Sequence, residues 1–141
     1  MSKVILITGA SSGIGLETAI HLAKKNFIVY GCARRLEKMK PIKNAGGYIF
    51  KLDITNESDI VNIVNLIIKN ERRIDVLWNN AGFGLWGAVE DISLERAKYQ
   101  FDVNLFGLAR ITKEVLPHMR KEKKGLIINT SSVGGRIYTP L

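Results

Sequence analysis

The sequence is poor in the features that anchor or cross-link a chain. Cys32 is its only cysteine, so no disulfide can form within the chain, and we expect a protein of the reducing cytoplasm. No apolar run is long enough to span a bilayer, and the N-terminal residues lack the pattern of a signal peptide. Neither His21 nor His118 lies in a ligand motif, so no metal site is predicted. We expect a globular protein without a membrane partner.

Acidic residues are fewer than basic ones, 13 against 21, which gives a net charge of +8. A basic chain can bind nucleic acid, but here the basic residues are scattered apart from the run 120–124. That run ends a predicted helix, where cations complement the helix dipole. No aromatic residues alternate with it to stack on bases. We therefore expect no nucleic-acid partner.

Short apolar segments alternate with helical patterns along the 141 residues, a length that suits one domain. The strand-like segments are 3–7, 27–33, 48–52, 74–78 and 125–130. The helical segments are 16–25, 36–44, one that opens at 55–58, and a long one at 94–123. This alternation predicts an α/β fold, a doubly wound, Rossmann-like parallel sheet of order 3-2-1-4-5.

Glycines are concentrated between the first strand and the first helix, in Thr8-Gly9-Ala10-Ser11-Ser12-Gly13-Ile14-Gly15. Gly9 lets the chain turn tightly, Gly13 lets a pyrophosphate approach the backbone, and Gly15 lets the helix pack close to the sheet. The helix N-terminus offers N–H groups to the phosphates. The spacing is G-x-x-x-G-x-G rather than the usual G-x-G-x-x-G, and a tight turn that binds nothing is the alternative.

Two stretches resemble the short-chain dehydrogenase/reductase family. The turn Thr8-Gly9-x-x-x-Gly13-Ile14-Gly15 resembles its cofactor turn, and Asn79-Asn80-Ala81-Gly82 resembles the run that follows its fourth strand. The resemblance implies that Asn80, Ala81 and Gly82 lie beside the ribose and nicotinamide of the cofactor. It further implies an adenine pocket at Asp53 and Ile54, although Asp53 would also suit the cap of the next turn.

The second strand ends in Ala33, followed by Arg34 and Arg35. In a Rossmann unit this strand end meets the adenine ribose, where an acidic residue would bind the 2′-hydroxyl. Guanidinium groups suit a 2′-phosphate instead, so the sequence favours NADP(H) over NAD(H). In the family the arginine directly after the small residue is the usual phosphate ligand, which makes Arg34 the first choice and Arg35 the second. The alternative is two solvated arginines at the start of a helix.

Two catalytic positions of the family have counterparts. Asp102-Val103-Asn104-Leu105-Phe106-Gly107 resembles its helix with a catalytic asparagine, which implies that Asn104 holds a water on the route of the proton. A buried asparagine that ties the helix to the sheet is the alternative. Ser132 matches the catalytic serine, whose hydroxyl donates a hydrogen bond to the substrate carbonyl, and Ser131 is the second choice.

The long helix should bury one broad apolar face, and Pro117 should kink it or end its first regular part. The residues of that face are Phe101, Leu105, Leu108, Ile111, Thr112, Val115 and Met119. In the family this helix commonly forms the subunit interface, which implies a homo-oligomer through 94–123. The preceding loop, 83–92, borders the family's substrate cleft. Its Phe83, Leu85 and Trp86 favour a partly apolar substrate, or else they cover the core.

The family's reaction also needs a Tyr-x-x-x-Lys motif, and the sequence contains none. Tyr138 comes too soon after Ser132, and the matching position would lie past Leu141. Residues 1–141 are therefore expected to form an NADP(H)-binding Rossmann-like domain that stops before the Tyr/Lys helix. We expect the 141 residues alone to be inactive and prone to aggregate through an open fifth strand, with a longer product or a second chain supplying the missing half.

The resemblance implies an oxidoreductase that transfers hydride between NADP(H) and a small carbonyl or alcohol substrate. Two alternatives remain open at this point. One is a nicotinamide-nucleotide-binding module without turnover, and the other is an inactive truncated fragment.

Overall fold

A five-stranded parallel sheet forms the centre of the computed structural model, which describes residues 2–137. The strands are β1 (Val4–Thr8), β2 (Ile28–Ala33), β3 (Tyr48–Lys51), β4 (Val76–Asn79) and β5 (Leu126–Asn129). Their order is β3-β2-β1-β4-β5, and every neighbouring pair is parallel. The predicted α/β class and the strand order are confirmed. Tyr138, which comes too soon after Ser132 to match the family's tyrosine, lies outside the described residues.

Helices cover both faces of the sheet. They are α1 (Gly13–Lys24), α2 (Lys40–Asn44), α3 (Glu57–Glu71), α4 (Leu94–Phe101) and α5 (Leu108–Lys121). A 3-10 turn at Leu36–Met39 leads into α2, where Pro41 is tolerated because it stands in the first turn. Side-chain caps mark the N-termini of α3 and α4, since Asn56 and Ser93 accept from the backbone N–H groups of Asp59 and Arg96.

The core divides into two layers because successive side chains of a strand point to opposite faces. In β1, Val4 and Leu6 belong to the layer formed with α3 and α5. Ile5 and Ile7 belong to the layer formed with α1 and α2. All five residues of β1 are buried, as expected for the central strand of a sheet covered on both faces.

The long helix predicted over 94–123 is interrupted by a π-helical turn at Asp102–Gly107, whereas Pro117, where we expected a kink or an end, lies inside α5. The prediction that Pro117 ends a regular segment is wrong, since α5 continues past it to Lys121. The face prediction is wrong at its N-terminal end, because Phe101 and Leu105 are 58% and 50% exposed. The wider turn changes the direction of the side chains that precede it, so a 3.6-residue period does not hold across it.

Val103 and Gly107 place one side of the π turn against the core. A Cβ at Gly107 would lie 2.8 Å from Ile54 Cγ1, so only glycine allows this approach. The buried positions along the helix are Val103, Gly107, Ile111, Val115 and Met119. The π turn is therefore fixed against the segment that follows β3, directly below the cleft described next.

The strand β5 lies at one edge of the sheet, and its Leu126 and Ile128 are 51% and 42% exposed. Phe101, Leu105 and Phe106 add to the apolar surface on the helical side. Within residues 2–137, no helix is long and apolar enough to cross a membrane.

Candidate cofactor and catalytic site

A cleft of about 540 Å³ opens at the carboxyl ends of the strands. This is the place where open parallel sheets bind ligands, beside the point at which the strand order reverses between β1 and β4. The predicted cofactor residues that line it are Gly9, Ser11, Ser12, Ile14, Arg34, Arg35, Asp53, Ile54, Asn80, Ala81 and Gly82. Phe83, Tyr99 and Val103 also line it, and of these Tyr99 lies outside every motif found in the sequence.

The glycine turn is held against the segment that follows β4. Gly9 has a φ of +68°, and a Cβ there would lie 2.8 Å from Ala81 Cα. A Cβ at Gly15 would lie 2.6 Å from the Gly9 carbonyl oxygen. Gly13, with a φ of +54°, has no neighbour within 4 Å of its Cβ position, so it borders open space. Gly9 and Gly15 therefore serve packing, while Gly13 leaves the backbone accessible above the start of α1.

Thr8 and Asn80 tie these two segments together. The Thr8 hydroxyl oxygen accepts from the backbone N–H groups of Asn80 and Ala81, both at 3.0 Å. The Asn80 amide nitrogen lies 3.3 Å from the carbonyl oxygens of Thr8 and Gly9, and its amide oxygen accepts from the Thr130 hydroxyl. Asn80 thus joins the ends of β1 and β5, and it also lines the cleft. Thr130 has no role predicted from the sequence, because a lone threonine after a strand carries no recognisable motif.

The two arginines after β2 have different partners. Arg35 Nη2 donates to Ser11 Oγ and Ser12 Oγ, each at 3.1 Å, so its guanidinium lies on the glycine turn. Arg34 Nη1 donates to the Tyr99 hydroxyl at 2.6 Å. Both arginines line the cleft, and both are exposed at the start of the 3-10 turn.

Asp53 caps the turn that follows it while it lines the cleft. Its carboxylate accepts from the Thr55 backbone N–H at 3.0 Å and from the Thr55 hydroxyl at 2.8 Å. Burial acts to raise the pKa of Asp53, but these hydrogen bonds and the charges of Arg34 and Lys51 outweigh it, so the pKa lies below its usual value. The cleft therefore holds a carboxylate among its cationic groups.

Asn104 lies on the π turn and binds the loop that follows Gly82. Its Oδ1 accepts from the Phe83 backbone N–H at 3.0 Å, and its Nδ2 donates to the Phe83 carbonyl oxygen at 2.8 Å. Asn104 is exposed and its partner is a loop, so the alternative of a buried asparagine bound to the sheet is wrong. Both functions of the amide are used to fix the backbone of Phe83 at the cleft wall.

Ser132 follows β5 and is exposed at the start of a 3-10 turn, Val133–Gly135. Its Oγ accepts from the Gly134 backbone N–H at 3.1 Å, which occupies one lone pair and leaves the O–H able to donate elsewhere. Ser132 is not among the residues that line the cleft within the described part of the chain. Ser132 and the Asn80–Gly82 segment thus follow two neighbouring strands, β5 and β4.

The loop after β4 carries apolar side chains outside the core. Phe83 lines the cleft, Leu85 is half-buried in an adjacent hollow of about 180 Å³, and Trp86 is 74% exposed. None of these three side chains belongs to the two core layers, so the alternative that they cover the core is wrong. Across residues 2–137, no group of three His, Cys, Asp or Glu side chains could hold a metal ion.

Comparison with known proteins relates this geometry to one family. Residues 3–141 match the family model described as short chain dehydrogenase. The chain is 44% identical over 139 residues to 3-ketodihydrosphingosine reductase from Bacteroides thetaiotaomicron, which covers 98% of this chain and 50% of that protein. The chain spans about half the length of the curated relatives it matches.

Solved structures give the same relationship. A short-chain dehydrogenase from Streptomyces avermitilis superposes with a TM-score of 0.92 at 35% identity, over 97% of this chain and 52% of its own. Actinorhodin polyketide ketoreductase with NADPH gives 0.90 at 35% identity, over 98% and 56%. An NADH-dependent reductase complexed with NAD gives 0.85 at 30% identity, over 99% and 63%. Both nicotinamide cofactors therefore occur among similar structures.

Proposed function

Because the chain belongs to the short-chain dehydrogenase family, we propose that its cleft binds NADP(H) and that the whole protein is an oxidoreductase acting on a carbonyl or alcohol. The cofactor supplies or accepts the hydride when bound. The residues of this chain bind the cofactor, fix the cleft wall and polarise the substrate oxygen.

The observation that carries the cofactor choice is the contact of Arg35 with Ser11 and Ser12. The strand β2 ends in the small Ala33, so no carboxylate stands there to repel a phosphate. Arg35 brings its positive charge to two hydroxyls on the glycine turn, which supports binding of a 2′-phosphate by charge-assisted hydrogen bonds. A ligand phosphate group would replace these neutral contacts with stronger ones. The NADPH complex among the similar structures supports NADP(H) as the cofactor. Because another similar structure holds NAD, the preference for NADP(H) is tested directly below.

The catalytic proposal assigns separate tasks to two residues. We assign Ser132 the donation of its O–H to the substrate oxygen, which stabilises negative charge that develops there. We assign Asn104 the positioning of the cleft wall through Phe83, together with the water that family members hold at this place. Neither side chain can supply the proton itself at neutral pH, since an amide and a hydroxyl are poor acids. The sequence lacks Tyr-x-x-x-Lys, so we propose that residues 1–141 alone are inactive.

The substrate that we propose is a partly apolar ketone or the corresponding alcohol. Phe83, Leu85 and Trp86 are presented outside the core beside the cleft, where they can contact an apolar group. The Bacteroides relative is named as the reductase of a keto compound, which supports a ketone. The exposed Phe101, Leu105 and Phe106 are proposed to contact a second subunit or the remainder of the protein.

The cofactor proposal is tested by titrating the full-length protein with NADPH and NADH and following nucleotide fluorescence. We expect wild type to bind NADPH more tightly than NADH. Arg35→Gln should weaken NADPH binding about 10- to 100-fold, the effect of losing hydrogen bonds to a charged group, and should leave NADH nearly unchanged. Lys43→Gln, which removes an exposed positive charge on α2 away from the cleft, is the matched control. Equal binding of the two nucleotides by wild type would overturn the NADP(H) assignment.

Turnover separates the enzyme from a nucleotide-binding module. Full-length protein that binds NADPH should oxidise it in the presence of a panel of ketones. Binding without turnover, with the complete protein and the complete panel, would favour the non-catalytic module. Turnover by purified residues 1–141 would contradict the proposal that this half lacks the proton donor.

A further inference from the structure

We propose that Tyr99 is a positioning residue for cofactor selection, which holds Arg34 in the orientation needed to bind the 2′-phosphate. The inference rests on the proposed NADP(H) site and adds to it a residue from a distant part of the chain. Arg34 follows β2, whereas Tyr99 lies on α4. A hydrogen bond of 2.6 Å joins the two side chains, and both residues line the cleft. Arg34 and Tyr99 also line the adjacent hollow of about 180 Å³, so together they form part of the wall between the two spaces.

The position of the Tyr99 side chain is itself fixed by its packing on Phe83. Its ring packs on the ring of Phe83 with 5.8 Å between centroids. The Phe83 backbone is held by the Asn104 amide on both its N–H and its carbonyl, and the Gln100 side chain donates to the same carbonyl at 3.2 Å. The Tyr99 hydroxyl, which accepts the hydrogen bond from Arg34, is therefore positioned by contacts that lead from Asn104 on the π turn through Phe83 to the Tyr99 ring.

The chemistry of the partner determines what this contact can do. A carboxylate in place of Tyr99 would neutralise the guanidinium and repel a phosphate, whereas a neutral hydroxyl orients the guanidinium without adding a negative charge beside it. An unrestrained arginine side chain would lose much of its rotamer freedom when it binds a ligand. A preformed contact removes part of that cost before the cofactor arrives, which favours binding.

The two arginine side chains are thus held at the cleft by different parts of the chain. Arg35 is held by Ser11 and Ser12 on the glycine turn, and Arg34 is held by Tyr99 on α4. We infer that both guanidinium groups serve the 2′-phosphate, so that selection of the phosphorylated cofactor depends on α4 as well as on the glycine turn. NADH has no group for this pair to bind.

Tyr99→Phe in the full-length protein tests the inference, because it removes the hydroxyl and retains the ring that packs on Phe83. The dissociation constant for NADPH should rise about three- to tenfold, the range for loss of one hydrogen bond, while that for NADH stays the same. Tyr48→Phe is the matched control, since Tyr48 is half-exposed on β3 and stacks on Tyr30 outside the cleft. Unchanged thermal unfolding of Tyr99→Phe confirms that a change in affinity does not come from misfolding.

A double-mutant cycle with Arg34→Gln identifies the route of the effect. If Tyr99 acts through Arg34, the Tyr99→Phe change should have no further effect on NADPH affinity once Arg34 is replaced. Additive effects, or an equal loss of NADPH and NADH affinity in Tyr99→Phe, would overturn the inference. A wild-type protein without preference for NADPH would overturn the NADP(H) assignment on which this inference rests. Preference in wild type with unchanged affinity in Tyr99→Phe would overturn only the role of Tyr99.

Discussion

The Asn80 side chain occupies the space that a side chain on Gly15 would need, because a Cβ on Gly15 would meet the Asn80 amide nitrogen. The same Cβ would also lie 2.6 Å from the Gly9 carbonyl oxygen, and a backbone atom cannot move aside cheaply. Gly15→Ala should therefore lower the free energy of unfolding by about 1–3 kcal/mol, as overpacking does in close-packed sites. Chemical denaturation of the full-length protein measures this change.

Gly135→Ala is the comparison for that experiment, because a Cβ at Gly135 would have no neighbour within 4 Å and its φ is not positive. This substitution should change the unfolding free energy by no more than about 0.5 kcal/mol. Equal losses at the two glycines would contradict the close approach of α1 to Asn80.

Replacement of Asn104 by aspartate should destabilise the loop after β4 in a pH-dependent way. The carboxylate can still accept from the Phe83 N–H, but it places a second acceptor against the Phe83 carbonyl oxygen, where the amide nitrogen now donates at 2.8 Å. At pH 7 we expect Asn104→Asp to lose about 1 kcal/mol of stability. As the pH falls and the introduced carboxyl gains a proton, its O–H can donate again, and the deficit should shrink. Denaturation at pH 7 and pH 4 measures both values.

Asn65→Asp on the exposed side of α3 serves as the control for the Asn104 experiment. It introduces the same carboxyl group away from the loop. We compare the loss of unfolding free energy in Asn104→Asp with that in Asn65→Asp at each pH. If the difference between the two variants is the same at pH 7 and pH 4, the contact with the Phe83 carbonyl oxygen does not contribute to stability.

Asp75 should make the free energy of unfolding decrease in acid. Its carboxylate accepts from the Val4 backbone N–H at 2.8 Å and from Arg73 Nε at 3.0 Å. Burial acts to raise the pKa of Asp75, but the Val4 hydrogen bond and the Arg73 charge outweigh it and lower the pKa. A lowered folded-state pKa gives stability that is present above the unfolded value of about 3.9 and is lost as the pH falls through the folded value.

Asp75→Asn should accordingly be less stable than wild type by about 1 kcal/mol near pH 7. The difference between the two proteins should shrink below about pH 4, where wild type also loses the carboxylate. Asp91→Asn, at an exposed position in the loop before α4, is the control. A difference between Asp75→Asn and wild type that does not vary with pH would contradict this account.

Ser132→Ala should separate binding from turnover in the full-length protein. The hydroxyl is exposed and outside the residues that line the cofactor cleft, so NADPH affinity should remain within about twofold of wild type. The rate constant kcat should fall about 10²- to 10³-fold, as it does when one donor to a developing oxyanion is removed. Steady-state kinetics with NADPH titration checks both expectations, and Ser131→Ala is the control. A larger loss of turnover in Ser131→Ala would transfer the assignment to Ser131.

The sequence predicted the strands well because their signals are local, and their order followed from the alternation of strands with helices, which is typical of a doubly wound sheet. The apolar segments are short and flanked by turn residues, and each lies within a residue or two of an observed strand. The glycine turn could be predicted as well, because the constraint on Gly9 and Gly15 comes from backbone geometry that few sequences satisfy.

The errors arise where tertiary contacts decide the outcome. The apolar pattern of the long helix included Phe101 and Leu105 and omitted Gly107, although Gly107 is the position packed against Ile54. A small residue carries no hydrophobic signal even when it is the point of closest approach. Tyr99 was missed for a related reason, since its contact with Arg34 joins residues 65 positions apart, and no local pattern encodes such a pair.

The register of the central strand also constrains how the protein folds. Ile5 in β1 pairs with Val29 in β2 nearby in the chain, but its other partner is Val76 in β4, so the second pairing must close a much longer loop. Asn80 immediately follows β4, and its hydrogen bonds to the carbonyls of Thr8 and Gly9 can form only after that closure. During refolding, nucleotide binding should therefore appear later than most of the helical signal. The ability to hold a cofactor would then report completion of the sheet, and simultaneous appearance in stopped-flow circular dichroism and nucleotide fluorescence would argue against this order.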